Sequence, residues 1–157
     1  ELIVKEGERN TNFYILKKGI WRAYYMIDGT ESSLWFAGTG EIGFSSWGYV
    51  NNEISQVNIE SVNKSTAYCI AKPDLEELFN SSIELSNFGR KIFEQEILFI
   101  DSYTLSYSTP SATERYLTLM EENPELLQYV PLKHLASYLY ITPQSLSRIR
   151  AGLKRRR

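Results

Sequence analysis

The sequence predicts an α+β chain: an antiparallel β-barrel or jelly roll, then a long helix, then a compact helical unit. Three observations predict it. Residues 1–72 alternate short β-branched and aromatic runs with turn signals every few positions. At Lys72, Pro73 and Asp74 the apolar spacing switches to the helical period. From Ile83 to Tyr107 apolar residues cover more of the helix than one dry stripe requires.

Strands are expected at residues 2–5, 13–17, 20–27, 30–37, 57–62 and 66–72. The third and fourth flank Asp28 and Gly29, a pair suited to a two-residue hairpin turn whose central positions both need positive φ. Gly7, Gly19, Gly38, Gly40 and Gly43 mark further bends. Pro73 suits the first turn of a short helix with Leu75, Leu78 and Phe79 on its inner side. The long helix that follows needs two surfaces to bury Leu85, Phe88, Ile92, Phe93, Ile97, Leu98, Phe99, Ile100 and Tyr103. One is its own barrel and the other is the same helix of a second copy, with Phe88, Ile92, Phe99 and Tyr103 as the expected dimer contacts.

A break at Tyr107, Ser108, Thr109 and Pro110 is the expected domain boundary. Beyond it Ser111 and Glu114 have the spacing of a capping box, so a helix begins there, carries Tyr116, Leu117 and Met120 inward, and stops at Asn123 and Pro124. Leu132, Leu135, Ala136 and Leu139 make a short amphipathic helix. Tyr140 and Ile141 turn, and Thr142 with Pro143 starts a second helix whose inner face is Leu146 and Ile149. Ala136 is the small residue that a close helix crossing requires.

Composition narrows the function classes. Hydrophobic content of 43% with 13% aromatic residues is ample for a core, and 23% charged residues is ordinary for a globular domain. No apolar run approaches the ~20 residues that span a bilayer, so the expectation is a cytoplasmic protein with no membrane partner. One cysteine, Cys69, and one histidine, His134, leave no ligand set for a metal or cofactor and no nucleophile with a histidine base in its own domain. An enzyme is not expected. Cys69 reads as a small buried hydrophobe and His134 as a solvated side chain.

The net charge of -2 hides an asymmetry. Arg148, Arg150, Lys154, Arg155, Arg156 and Arg157 fall in the last ten residues without an acidic neighbour, leaving 11 basic and 19 acidic residues in the rest. A basic end on an acidic body suits an anionic partner. On the last helix Thr142, Gln144, Ser145, Ser147, Arg148, Arg150 and Lys154 are expected to meet double-stranded DNA. Arginine can bond a guanine edge bidentately, glutamine an adenine, and serine and lysine a phosphate.

These motifs carry a resemblance. Leu135 to Leu139, Ile141 to Pro143 and Leu146 to Arg150 resemble the winged helix-turn-helix of Crp/Fnr-type transcription regulators, and Ser111 to Tyr116 is similar to the start of that domain. Phe13 to Gly19, the Asp28–Gly29 hairpin and Gly40 to Gly43 are similar to that family's cyclic-nucleotide-binding-like barrel. The resemblance implies a sensor domain at residues 1–82, a dimerisation and linker helix at 83–109 and a DNA-binding domain at 110–157. It also implies a homodimer, an effector-controlled response, half-sites about one DNA turn apart, and RNA polymerase as a further partner. Carried over by position, the base-contacting residues are Pro143, Gln144 and Arg148, and Tyr140 stands in the turn where many relatives have glycine. Tyrosine adopts positive φ at a cost there.

Cyclic-nucleotide binders of this type use a Gly-Glu pair for the ribose and an Arg-Ser or Arg-Thr pair for the phosphate. Here Gly43 is followed by Phe44, Ser45, Ser46 and Trp47, and the phosphate position holds Ser55 and Gln56. Cyclic AMP is therefore not the expected effector. Gly43, Phe44, Ser45, Ser46, Ser55 and Gln56 line the expected pocket for an unidentified one, with a packed aromatic core as the competing reading. The competing function is a small-molecule-binding or protein-interaction module whose helices do not touch DNA. Glu1 begins inside what should be the first barrel strands and Arg157 stops where the wing would start, so terminal segments are expected to be missing.

Overall fold

The structure is a computed structural model that describes residues 1–108 and 111–154. The expected boundary at Pro110 and the basic residues Arg155, Arg156 and Arg157 lie outside the described residues. The chain runs β1 (Leu2–Val4), β2 (Phe13–Lys18), β3 (Trp21–Ile27), β4 (Thr30–Ala37), β5 (Ile42–Gly43), α1 (Ser46–Asn51), β6 (Asn58–Ser61) and β7 (Thr66–Ile70). The helices α2 (Lys72–Ser81), α3 (Ile83–Ser108), α4 (Ala112–Glu122), α5 (Pro124–Tyr129), α6 (Leu132–Tyr138) and α7 (Pro143–Lys154) follow.

The α+β expectation holds, in its two-sheet form. The strands make one sheet in the order β1-β6-β3-β4 and another in the order β5-β2-β7, both antiparallel, and do not close into a single barrel. The β3–β4 hairpin turns at Asp28 and Gly29 with φ of 48° and 75°, as the two-residue loop demands. Period-two alternation sorts β2. Leu16 and Tyr14 face the space between the sheets, while Phe13 and Ile15 face the helices.

Three apolar clusters result. Between the sheets lie Val4, Leu16, Trp21, Ala23, Ala37, Val57 and Ile59, with Tyr14, Trp35 and Trp47 packed on them. Outside β2 and β7, Phe13, Tyr49 and Leu75 meet Phe44, Phe79, Ile92 and Phe93, which seats α1, α2 and the first half of α3. The third is the core of the C-terminal helices: Tyr116, Leu119, Leu126, Val130, Leu135, Ala136, Leu139 and Leu146, closed by Ile20 from the β2–β3 turn and Phe36 from β4. On α4 Tyr116 and Leu119 are buried and Met120 packs beside them, whereas Leu117, expected inward, is exposed.

Two other expectations fail. Cys69 is exposed: it lies opposite Tyr14 on β7, which is an edge strand of its sheet with no strand on its other side among the described residues. His134 is mostly buried, because α6 lies against β4 and turns that side of the helix inward. Of the expected dimer contacts, Ile92 packs within the chain and Tyr103 stacks on Tyr138, while Phe88 and Phe99 stay exposed. Ile97, Leu98, Ile100 and Leu105 are also exposed, so α3 leaves apolar residues uncovered around much of its circumference. No described helix is long and apolar enough to cross a membrane.

Candidate nucleic-acid interface and effector region

The interface candidate is built from α6, the turn and α7. Ala136, fully buried, lets the helices cross closely over Leu135, Leu139 and Leu146. The turn at Tyr140 adopts φ +55°, which costs a non-glycine residue about 1 kcal/mol. Hydrogen bonds hold it: Tyr140 N–H donates to the Ser137 carbonyl and Ile141 N–H to the Ala136 carbonyl, both at 3.0 Å. Arg115, in the Ser111-to-Tyr116 stretch, donates from Nε and Nη2 to the Leu139 carbonyl at 3.2 and 2.9 Å, tying α4 to the end of α6. Sequence reading missed this role. Arginine on an amphipathic helix looks solvated until its acceptor, a free carbonyl at a helix end, is in place.

Thr142 starts α7 as expected, its Oγ1 accepting from Ser145 N–H at 3.2 Å. Leu146, Ile149 and Leu153 face inward. Gln144, Ser147, Arg148 and Lys154 are exposed on the other side, with Thr142 exposed at the helix start, while Ser145 and Arg150 are half-buried. Among the described residues no carboxylate pairs with Arg148, Arg150 or Lys154. This leaves a helix face of positive charge and hydrogen-bond donors, with its apolar side locked down.

The effector candidates are distributed differently. Gly43 is buried, and a Cβ there would sit 3.1 Å from the Trp21 ring, so that ring fills the space beside it. Ser45 is fully buried as the N-cap of α1, its Oγ accepting from Gly48 N–H. Ser55 Oγ donates to the Val57 carbonyl at 2.8 Å and accepts from Val57 N–H at 3.3 Å. Both hydroxyls are thus satisfied locally. Ser46 and Gln56 are exposed. Phe44 lies in the outer cluster, against Phe13, Tyr49 and Phe93 at ring separations of 5.3, 5.3 and 6.1 Å.

Cations in residues 1–82 are committed elsewhere. Lys5, Arg9, Lys17, Lys18 and Lys64 are exposed, and Lys72 caps α1 through the Tyr49 carbonyl at 2.5 Å. Arg22, only 1% exposed, points to the outer side of β3. There Nη2 pairs with Glu31 at 2.8 Å and Glu60 at 2.7 Å, Nη1 with His134, and the guanidinium lies 4.2 Å from the Tyr24 ring centroid. A cyclic phosphate between the sheets would meet three tryptophans and, among the described residues, no guanidinium. The residues present do not fit that group.

A sequence profile of the cyclic nucleotide-binding domain matches residues 1–82. The chain belongs to that family. No curated protein sequence matches it. Solved structures agree on the fold and extend the likeness past the sheets. FixK2 from Bradyrhizobium japonicum is 18% identical, covers 99% of this chain and 81% of its own, and superposes with a TM-score of 0.84. A CRP-family transcriptional regulator from Thermus thermophilus is 18% identical over 99% and 82%, with a TM-score of 0.78. The c-di-GMP-responsive global regulator CLP of Xanthomonas campestris is 16% identical over 98% and 82%, at 0.73. The likeness in fold therefore runs through the sheets, α3 and the C-terminal helices alike.

Proposed function

We propose that the chain is a non-enzymatic, DNA-binding transcription regulator of Crp/Fnr type that works as a cytoplasmic homodimer. Residues 1–82 act as the sensor domain, 83–109 as the dimerisation helix and 110–157 as the DNA-binding domain. The observation that carries this is the exposed row of Gln144, Ser147, Arg148 and Lys154 on α7, held outward by a buried Leu146 and without a carboxylate partner among the described residues. Such a face gives salt-dependent phosphate binding with a bidentate reader at its centre. The uncovered apolar face of α3, with Phe88 and Phe99 on it, supports pairing with a second copy. RNA polymerase is the further partner of a regulator so placed on DNA.

The effector is a molecule other than cyclic AMP. Its place of action is the α1 loop bordered by Gly43, Phe44, Ser45, Ser46, Ser55 and Gln56. Phe44 and Tyr49 lie 6.1 and 6.0 Å from Phe93, so repacking of that loop is transmitted directly to α3.

Selection of bound sequences from a random duplex pool, with and without a metabolite extract, tests the reading. Enrichment of a two-fold symmetric site supports it. The double variant Arg148→Ala, Arg150→Ala should lose that enrichment while staying folded. Unchanged duplex affinity in the variant would favour an interaction module that does not bind DNA.

A further inference from the structure

The contact between α6 and β4 is polar at its centre, which is unusual for a packing surface that also buries Phe36 against Tyr138 at a ring separation of 5.2 Å. Ser137 Oγ accepts from Ser33 N–H at 3.1 Å and lies 2.9 Å from Ser33 Oγ. Beside this pair the Arg22 guanidinium, already held by Glu31 and Glu60, gives a hydrogen bond from Nη1 to His134 Nδ1. That bond requires a neutral imidazole with its proton on Nε2, since a protonated Nδ1 would set N–H against N–H. We propose that Arg22 and His134 form a proton-sensitive clasp that holds the C-terminal helix pair against the sheet when His134 is neutral and releases it when His134 is protonated.

The groups facing His134 decide the sign. Arg22 from β3 and Lys133 from α6 disfavour a second cation. Glu31 from β4, 3.6 Å from Nδ1, favours one, but its carboxylate is already bonded to Arg22, which holds it below the usual carboxylate range. Burial is the largest influence, followed by Arg22 and Lys133, and together they push the imidazole down to about 4 against the pull of Glu31. A released His134 titrates near the ordinary 6.5. A group depressed in the docked state stabilises docking above its released pKa and withdraws that support as pH falls. From these two values the docked-to-released ratio drops about 4-fold at pH 6 and about 30-fold at pH 5, relative to pH 7.5.

The clasp matters for DNA because docking fixes α7 relative to α3: Tyr103 stacks on Tyr138 and meets the Tyr140 hydroxyl at 2.9 Å. That consequence rests on the function proposed above; the clasp itself does not. His134 is the sole histidine, so its titration is read without overlap. The test labels the full chain at the exposed Cys69 and at Gly152→Cys, where an added Cβ meets nothing, and dilutes it into unlabelled protein. Spin-label distances and the His134 NMR titration are then followed from pH 7.5 to 5. The expected result is one narrow distance at pH 7.5, reversible broadening towards pH 5 with far-UV circular dichroism retained, and an imidazole titrating well below 6.5. His134→Gln, which accepts from Arg22 and cannot titrate, should keep the narrow distance throughout. His134→Lys should be broad at pH 7.5. An imidazole titrating at or above 6.5, or the same acid broadening in His134→Gln, overturns the clasp. Duplex binding with acid-insensitive distances sinks the clasp alone, whereas acid release in a protein that binds no duplex sinks the DNA reading alone.

Discussion

The space between the two sheets and the outer face of α7 are opposites within one chain. The first holds Trp21, Trp35, Trp47 and Tyr14 around fully buried aliphatic residues. The second carries Arg148 and Lys154 with no carboxylate partner among the described residues. In a cyclic-nucleotide sensor the charge sits inside, where it meets the ligand phosphate. In this chain the space between the sheets is lined by hydrocarbon and indole, and among the described residues Arg148 and Lys154 lie on the outside without a carboxylate partner. Where a protein leaves charge unneutralised says more about its ligand than the fold it shares with relatives.

The widest test of that contrast is Trp21→Ala. Trp21 is 4% exposed, and its Nε1–H donates to Ser65 Oγ at 2.9 Å. Truncation opens a large cavity and should cost about 3–5 kcal/mol, read as a lowered urea midpoint by circular dichroism. A loss under about 1 kcal/mol would mean that the interior is a loose pocket rather than a packed core.

Leu146→Ala comes next. Leu146 is fully buried beneath the exposed face of α7, so its removal should cost about 2–5 kcal/mol in the C-terminal helices and weaken duplex binding by misaligning that face. Arg148→Ala should act in the reverse way. Its side chain is exposed, so stability stays within about 0.5 kcal/mol. Duplex affinity should fall by about 1–3 kcal/mol in an anisotropy titration. Equal effects of the two variants on stability would erase the distinction between support and reader.

Local chemistry was legible wherever one short stretch carried its own reason. The Asp28–Gly29 hairpin, Pro73 at the start of α2, the Ser111–Glu114 capping box and the Thr142 cap each follow from residues within four positions of one another. What escaped was either too short or too distant. The helix α1 has six residues, two of them glycine or asparagine, and is fixed by Lys72 reaching back from α2 to the carbonyls of Tyr49 and Val50. Arg22 alternates with Trp21 and Ala23 as an outward polar residue should. Nothing nearby in sequence announces that α6 will cover that side and bury it. The same blindness misplaced His134, whose environment comes from β3 and β4, and Cys69, whose exposure follows from β7 standing at the edge of its sheet.

The smallest expected effect separates helix stability from helix function. Ser111 Oγ accepts from Glu114 N–H at 3.3 Å, and Ser111 N–H donates to the Glu114 carboxylate at 2.6 Å, a bond that lowers the carboxyl's pKa. Ser111→Ala removes one of these and should cost about 1 kcal/mol. The lowered carboxyl pKa means the Glu114 half of the box contributes above the ordinary carboxylate range and fades as pH falls through it. Thr142 makes the equivalent bond for α7, accepting from Ser145 N–H, but it is exposed at the start of the helix proposed to read DNA. Thr142→Ala should therefore lose a similar stability and duplex affinity as well, whereas Ser111→Ala should lose stability alone. If both substitutions weakened duplex binding equally, the reading face would have to extend onto α4, and the division between the two caps would fail.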